Sequence, residues 1–439
     1  MPWRKIRLLV TDLFRVITRY LLDTGQRNRM REVLKKDGLT PAQRTLTQAE
    51  AQAAVPNARP FSGLASTSLT LAGIRLTPDS EPRVNLVIGE VREGGVFAGI
   101  HTALTVGKAL GERLGRPLRV VMLDYTSVDN DQASAERFIR DSFDLPDVTV
   151  VTRESLRDGV FGTTDIWLAT HSKTAHALQV ACNIGLIDRH RVVYLVQDYE
   201  PGFSAWSTES VLATSTYHAG FVPLVNSVPL WRFLCAEENL DIDRDLVFAP
   251  SFEEDRLRAA AEARTPSHTV QVLFYARLTK HRNLYAVGIA ALRAAVLALG
   301  ADAPALRFVS AGEQHDPIDL GGGHTLTSLG RLAWDDYFTF LSTTQVLLSL
   351  QQSPHPSHPP FDAAISGARA VTNDFHETRG GLHPRIVAVA ADPNSLARAL
   401  VSAIQASVGT EPGGYLPVAA ELLGGDLADA VDAAMARLT

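Results

Sequence analysis

Four basic side chains, Arg277, Lys280, His281 and Arg282, are crowded into the segment FYARLTKHRN, directly after a run that reads as a β-strand. In a chain with more acids than bases, such a cluster at the end of a strand points to an anion, and a pyrophosphate is the natural candidate. Arginine offers a planar fork to phosphate oxygens and lysine adds a point charge. The competing reading is a solvated loop, or ion pairs with the acidic surface. A second segment, SPHPSHPPFDAAISGARAVTN, holds Pro354, Pro356, Pro359 and Pro360 ahead of a helix expected to end at Gly367. Four prolines make a rigid loop with few backbone donors. Asp362 is expected in the first turn of that helix, where a carboxylate suits the helix dipole and can also accept from ribose hydroxyls. His355 and His358 invite a metal reading, but no third histidine or carboxylate stands at a helical spacing with them, so no metal site is expected.

Three further groups follow predicted strands. QDYEP carries Gln197, Asp198 and Glu200, which can hydrogen-bond the hydroxyls of a sugar or form a solvated acidic loop. EVREGGVFAG places Gly94 and Gly95 before a helix starting near Ala98, either to let backbone N–H groups approach an anion or sugar or to make a plain turn. The spacing is not GxGxxG, which disfavours a dinucleotide. His171 follows DIWLAT. The run Asp129 to Asp131 reads as the opening of a helix with Asp131 as its cap, rather than as a metal-binding pair.

The elements that must position these residues recur regularly. After Pro82, short β-rich runs alternate with helical stretches for about 330 residues, the pattern of parallel βα units. Strands are predicted at 84, 118, 148, 165, 192 and 220, then, beyond a break at EARTPSH (262–268), at 269, 306, 325, 344, 369 and 386. Two doubly wound, Rossmann-like α/β domains are expected, 81–262 and 268–410, facing one cleft, with a C-terminal helical segment over 411–439. Ligands of such sheets bind at the carboxyl ends of strands, where all the residues above lie.

The chain has 439 residues, 46% apolar and 21% charged, enough for two packed cores and too apolar for disorder. Its two cysteines, Cys182 and Cys235, exclude a disulfide framework and a cysteine-based zinc site. No apolar stretch is seen to approach the roughly 20 residues of a membrane span, and no secretory cleavage site is evident, so a cytosolic location is expected. The net charge of −6 is uneven: residues 1–45 hold 11 Lys and Arg against 4 Asp and Glu, which leaves −13 on the rest. An acidic body argues against nucleic acid as a partner. Within the front end (1–80), Trp3, Ile6, Val10, Leu13, Phe14, Ile17, Tyr20 and Leu21 form an apolar helical stripe opposite Arg4, Arg7, Arg15 and Arg19. Such a helix either packs on the body or lies, through residues 1–36, on an anionic membrane surface; residues 38–80 read as a linker.

The segments YLVQDYEPGF, FYARLTKHRN and LSLQQSPHPSHPPFDAAISGARAVTN resemble those of bacterial rhamnosyltransferases of the WsaF type, in glycosyltransferase family 4. The resemblance covers about residues 84–410 and implies a GT-B fold. It also implies metal-independent transfer of rhamnose, or a related deoxysugar, from a dTDP donor to a growing lipid-linked or oligosaccharide surface glycan. Configuration would be retained and no cofactor would be needed; the basic front end adds the expectation of a peripheral position on the inner face of the cell membrane. Arg277 and Arg282 would be the catalytic residues, holding the diphosphate. Lys280, His355, Ser357 and Asp362 would complete the donor site, and Gly94, Gly95, His171, Gln197, Asp198 and Glu200 the acceptor site. Asp362 stands where the family has a Glu, and Pro354 stands where the wider family has a first Glu. A catalytically inactive nucleotide- or glycan-binding protein, and a nucleotide-sugar isomerase or hydrolase of the same fold, are the other readings.

Overall fold

The computed structural model of the protein describes residues 67–92, 98–124 and 132–438. The basic helix expected at the front, Gly94, Gly95 and the run Asp129 to Asp131 lie outside the described residues. In chain order the first domain contains β1 (Arg75–Thr77), β2 (Val84–Ile88), β3 (Leu118–Met122), β4 (Thr149–Val151), β5 (Val160–Gly162), β6 (Ile166–Ala169), β7 (Val192–Val196), β8 (Val222–Asn226) and β9 (Val247–Phe248). Seven of them form a parallel sheet in the order β4-β3-β2-β6-β7-β8-β9, and β1 pairs with β5 in a small separate sheet. Strands β2, β3 and β7 are buried end to end, as near-continuous aliphatic runs covered on both faces must be. Helices Ser172–Asn183 and Val228–Glu237 bury Leu178, Leu230 and Leu234 on one face, and Ala98–Leu114 and Gln132–Phe143 bury Leu104, Leu110 and Ile139 on the other.

The second domain contains β10 (Thr269–Ala276), β11 (Ala305–Gly312), β12 (Ile318–Gly321), β13 (His324–Ser328), β14 (Val346–Leu348), β15 (Arg369–Asn373) and β16 (Ile386–Val389). Their order is β12-β13-β11-β10-β14-β15-β16, parallel except for the β12–β13 hairpin. Helix Tyr285–Leu299 packs tightly on β10, because Gly288 lies under the Phe274 ring, where a Cβ would come within 2.3 Å of that ring.

Three sequence expectations are corrected. Helix Glu254–Glu262, assigned by the sequence to the first domain, buries Leu257 and Ala260 with Leu273 and Leu347 of the second. The segment read as linker up to residue 80 already belongs to the first core by Leu71 and Ile74. The C-terminal helical segment is present as expected, and its helix Leu427–Met435 packs on the first domain, burying Ala430, Val431 and Ala434 there. The stretch His281–Leu299 does reach the length and apolarity of a membrane span on composition alone. Its helical part instead buries Ile289, Leu292 and Val296 in the second core.

Candidate functional site

The carboxyl ends of β10, β11 and β14 present the basic cluster. Strand β10 runs in register with β11 up to Ala276 and Gly312. Gly312 has φ +131°, and a Cβ there would lie 2.2 Å from the Ala276 carbonyl oxygen, so the close approach of these two strand ends requires glycine. Glu313 then accepts from the Thr279 amide at 2.8 Å and from its hydroxyl, which braces the loop behind Arg277. The Gln352 amide donates to the Arg282 carbonyl at 2.6 Å and the Asn283 side chain donates to the Leu350 carbonyl at 3.0 Å, which fixes Arg282 beside the loop after β14.

The cluster divides in two. Lys280 and His281 are exposed, whereas Arg277 and Arg282 are half-buried neighbours. The Arg277 guanidinium makes no hydrogen bond or ion pair with the described residues. Arg282 lies 3.9 Å over the Phe203 ring and 3.9 Å from the Asp198 carboxylate, both in the first domain. Burial lowers the Arg282 pKa, Asp198 acts against this, and the Arg277 charge lowers it further. Two like charges held together without a full complement of acids are short of an anion.

QDYEP does not present free sugar-binding groups. The Asp198 carboxylate crosses between the domains: it accepts from the Ser353 hydroxyl, from Gln351 Nε2 at 3.4 Å and from the Tyr199 amide at 2.8 Å. Burial raises its pKa, opposed first by Arg282 and then by the Ser353 hydrogen bond. Glu200 is buried and accepts from the Ser172 amide at 2.5 Å, with His171 Nδ1 at 3.0 Å from the same oxygen. The physical reason is the start of helix Ser172–Asn183, whose unpaired N–H groups attract a carboxylate. His171 itself caps that helix, its Nδ1 accepting from the Lys173 amide at 3.2 Å. Gln197 Nε2 donates to the Gly99 carbonyl at 3.0 Å. The described residues expected to bind the acceptor are thus engaged with the protein; Asp198 and Gln197 remain at strand ends beside the interdomain surface.

The proline loop is organised by a residue that the sequence reading missed. Arg379, 2% exposed, donates from Nη2 to the carbonyls of Gln351 (2.6 Å), Ser353 (2.7 Å) and His355 (3.4 Å). From Nη1 it donates to the Asn373 carbonyl at 2.7 Å and to the Asn373 and Thr372 side chains. Burial pushes its pKa down to about 10, so it stays charged at neutral pH. Ser357 then takes φ +67°, a strained value for a residue with a side chain, and helix His358–Ile365 begins. Pro359 and Pro360 occupy its first turn and carry no N–H, so this helix start offers few backbone donors.

Asp362 lies in the second turn of that helix, not the first. It is buried and accepts from the Tyr337 hydroxyl at 3.0 Å, so the helix-dipole reading fails. Burial pushes its carboxyl up to about 7. His355 and His358 have ring centroids 6.4 Å apart, and burial lowers both to about 4.

Two parallel-sheet domains whose strand ends meet across a cleft of this kind define the GT-B fold. A structure of OtsA in its apo form shares it, with 11% identity and a TM-score of 0.50 over 81% of this chain and 98% of that one. HepE of Anabaena, in complex with UDP and glucose, is similar at 13% identity and a TM-score of 0.48, over 82% and 96% of the two chains. Residues 83–228 match the WsaF N-terminal domain and residues 270–401 the WsaF C-terminal domain; the chain belongs to the WsaF family. The O-antigen biosynthesis protein RfbC of Myxococcus xanthus is 28% identical over 284 residues, 64% of this chain, and the match spans only 21% of that relative's length.

Proposed function

We propose that the protein is a glycosyltransferase of surface-glycan assembly. In this reading it moves rhamnose, or a related deoxysugar, from a dTDP donor to a lipid-linked or oligosaccharide acceptor, with retention of configuration. The observation that carries the reading is the pair of half-buried guanidiniums, Arg282 and Arg277, the latter without a hydrogen bond or ion pair among the described residues, at the carboxyl end of β10 and facing the other domain. Family membership and the O-antigen relative support the glycan as the class of product. The donor would lie on the second domain, its diphosphate against Arg277 and Arg282. As the bond from the anomeric carbon to the phosphate oxygen breaks, negative charge grows on the leaving diphosphate, and the two guanidiniums stabilise it more than they stabilise the ground state. Asp198 and Glu200 are held in hydrogen bonds to the protein, and the leaving diphosphate itself would take the acceptor proton.

The test is transfer from dTDP-rhamnose, set against UDP- and GDP-sugars, to a rhamnose-containing acceptor in the presence of EDTA, with the anomeric configuration of the product read by NMR. Metal-independent transfer with retention is expected, because the site carries its own cations. Release of free sugar without transfer would favour the hydrolase reading. A strict requirement for Mn²⁺ or Mg²⁺ would count against the proposed site.

For the basic front end we propose contact with the inner face of the membrane, near a lipid-linked acceptor. Cosedimentation with vesicles of anionic lipid, weakening as salt rises, is the expected result, since each basic residue near such a surface contributes about 1 kcal/mol that salt screens. Unchanged cosedimentation after removal of residues 1–36 would overturn it.

A further inference from the structure

Among the described residues, the buried side-chain nitrogens without a hydrogen-bond partner include three from the loops around the basic cluster: Arg282 Nε, His355 Nε2 and Arg379 Nε. They belong to one neighbourhood: the charges of Arg379 and Arg282 both act on His355, and the charge of Asp198 acts on both arginines. A buried donor without an acceptor is costly, and three of them together around a cationic surface are accounted for by an oxyanion that arrives from outside.

The ring of His355 is set for this task. Its Nδ1 accepts from the Ser357 amide at 3.2 Å, which in the neutral ring leaves the proton on Nε2. Burial, and after it the two guanidiniums, lower the ring's pKa to about 4, so at neutral pH it is uncharged and Nε2–H is its donor. The backbone of His355 is held on both sides: its amide donates to the Ser353 hydroxyl at 3.1 Å, and its carbonyl accepts from Arg379. Prolines at 354 and 356 leave neighbouring carbonyls without local N–H partners, and the Arg379 fork gathers those of Gln351, Ser353 and His355 instead.

We propose that His355 gives its Nε2–H to an oxygen of the leaving diphosphate, and that Arg379 is the positioning residue that holds it there. This rests on the reading of the cleft as a nucleotide-sugar donor site. In the absence of donor, the Asp198 carboxylate is the anion that faces Arg282 and Arg379; the diphosphate takes over that place when it enters between the domains. No proton is transferred by His355, which acts as a fixed neutral donor beside the two cationic side chains.

The experiment titrates dTDP and UDP calorimetrically into the full chain and into His355→Ala, His355→Gln and Arg379→Met, with thermal unfolding and separate donor and acceptor KM values for each. His355→Ala is expected to weaken binding of the preferred nucleoside diphosphate by about tenfold to a hundredfold, as for loss of a hydrogen bond to a charged group, and to leave the acceptor KM unchanged. His355→Gln, whose amide N–H reaches toward the position of Nε2, should recover most of the loss. Arg379→Met should raise the donor KM and leave the acceptor KM as it is. If that variant does not fold, the two His355 variants decide the matter alone. Binding by His355→Ala equal to that of the unaltered protein, or a Gln variant no better than the Ala variant, would overturn the proposal. If the unaltered protein binds neither nucleotide, the donor-site reading falls with it; if it binds and His355→Ala binds equally well, only this inference falls.

Discussion

Arg277→Ala is expected to lower kcat/KM for the nucleotide-sugar donor by about 30- to 1000-fold, roughly 2–4 kcal/mol, with almost no change in thermal stability. The two halves of that expectation have one origin. The Arg277 guanidinium makes no hydrogen bond or ion pair with the described residues, so its removal costs the free protein little and relieves repulsion of Arg282. All of its interaction energy is left for the substrate, and most of it for the charge that grows during bond cleavage. Arg282→Ala should behave differently: a similar or milder loss of turnover, but with a measurable loss of stability, because Arg282 lies over Phe203 and beside the buried Asp198. Arg277→Lys should fall between, since a lysine keeps the charge and loses the planar fork. Steady-state kinetics with a saturable donor, paired with thermal unfolding, check the contrast. Near-normal turnover of Arg277→Ala would remove this residue from the site.

Asp362 should impose an unusual pH dependence on stability. Its folded value of about 7 stands well above the ordinary 3.8, so between those values the native state holds a proton that the unfolded chain releases. Stability from this group is therefore greatest in acid and is lost as pH rises toward 7, by at most about 4 kcal/mol. His355 and His358 act in the opposite sense: they stay neutral in the native state down to about 4, while the unfolded chain protonates them below 6.5, so their contribution is lost as pH falls. Asp362→Asn removes only the first effect. Urea unfolding of both proteins should favour the unaltered chain more at pH 5 than at pH 8, by about 1.5–4 kcal/mol. Equal differences at the two pH values would show that Asp362 titrates as an ordinary carboxyl.

The sheets were legible because their strands are buried on both faces. Runs such as VNLVI and LRVVM carry no polar alternation, and every main strand predicted from them is present. What escaped were three-residue pairs such as β1 with β5, and the destinations of helices Glu254–Glu262 and Leu427–Met435. Their apolar faces say that they pack, not on which sheet. At the site, Arg277 and Arg282 were found from cations at the carboxyl end of a strand. The same rule reaches Arg379 in the loop after β15, but its polar neighbours HETRGG give no apolar signal that it is buried. The engagement of Asp198 with Ser353 joins residues far apart in sequence in two domains and left no local trace. Asp362 was misplaced by a turn because prolines 359 and 360, which begin its helix, were read as part of the loop.

In the proposed reading, the ends of β10 and β14 hold the diphosphate of a nucleotide sugar. Direct titration of the full chain with dTDP, using Arg277→Ala as the control, tests it without need of an acceptor. Saturable binding of one nucleotide per chain, competed by inorganic pyrophosphate and strongly weakened in Arg277→Ala, is the expected result; failure to bind dTDP, UDP or GDP, or binding that Arg277→Ala leaves unchanged, would contradict it.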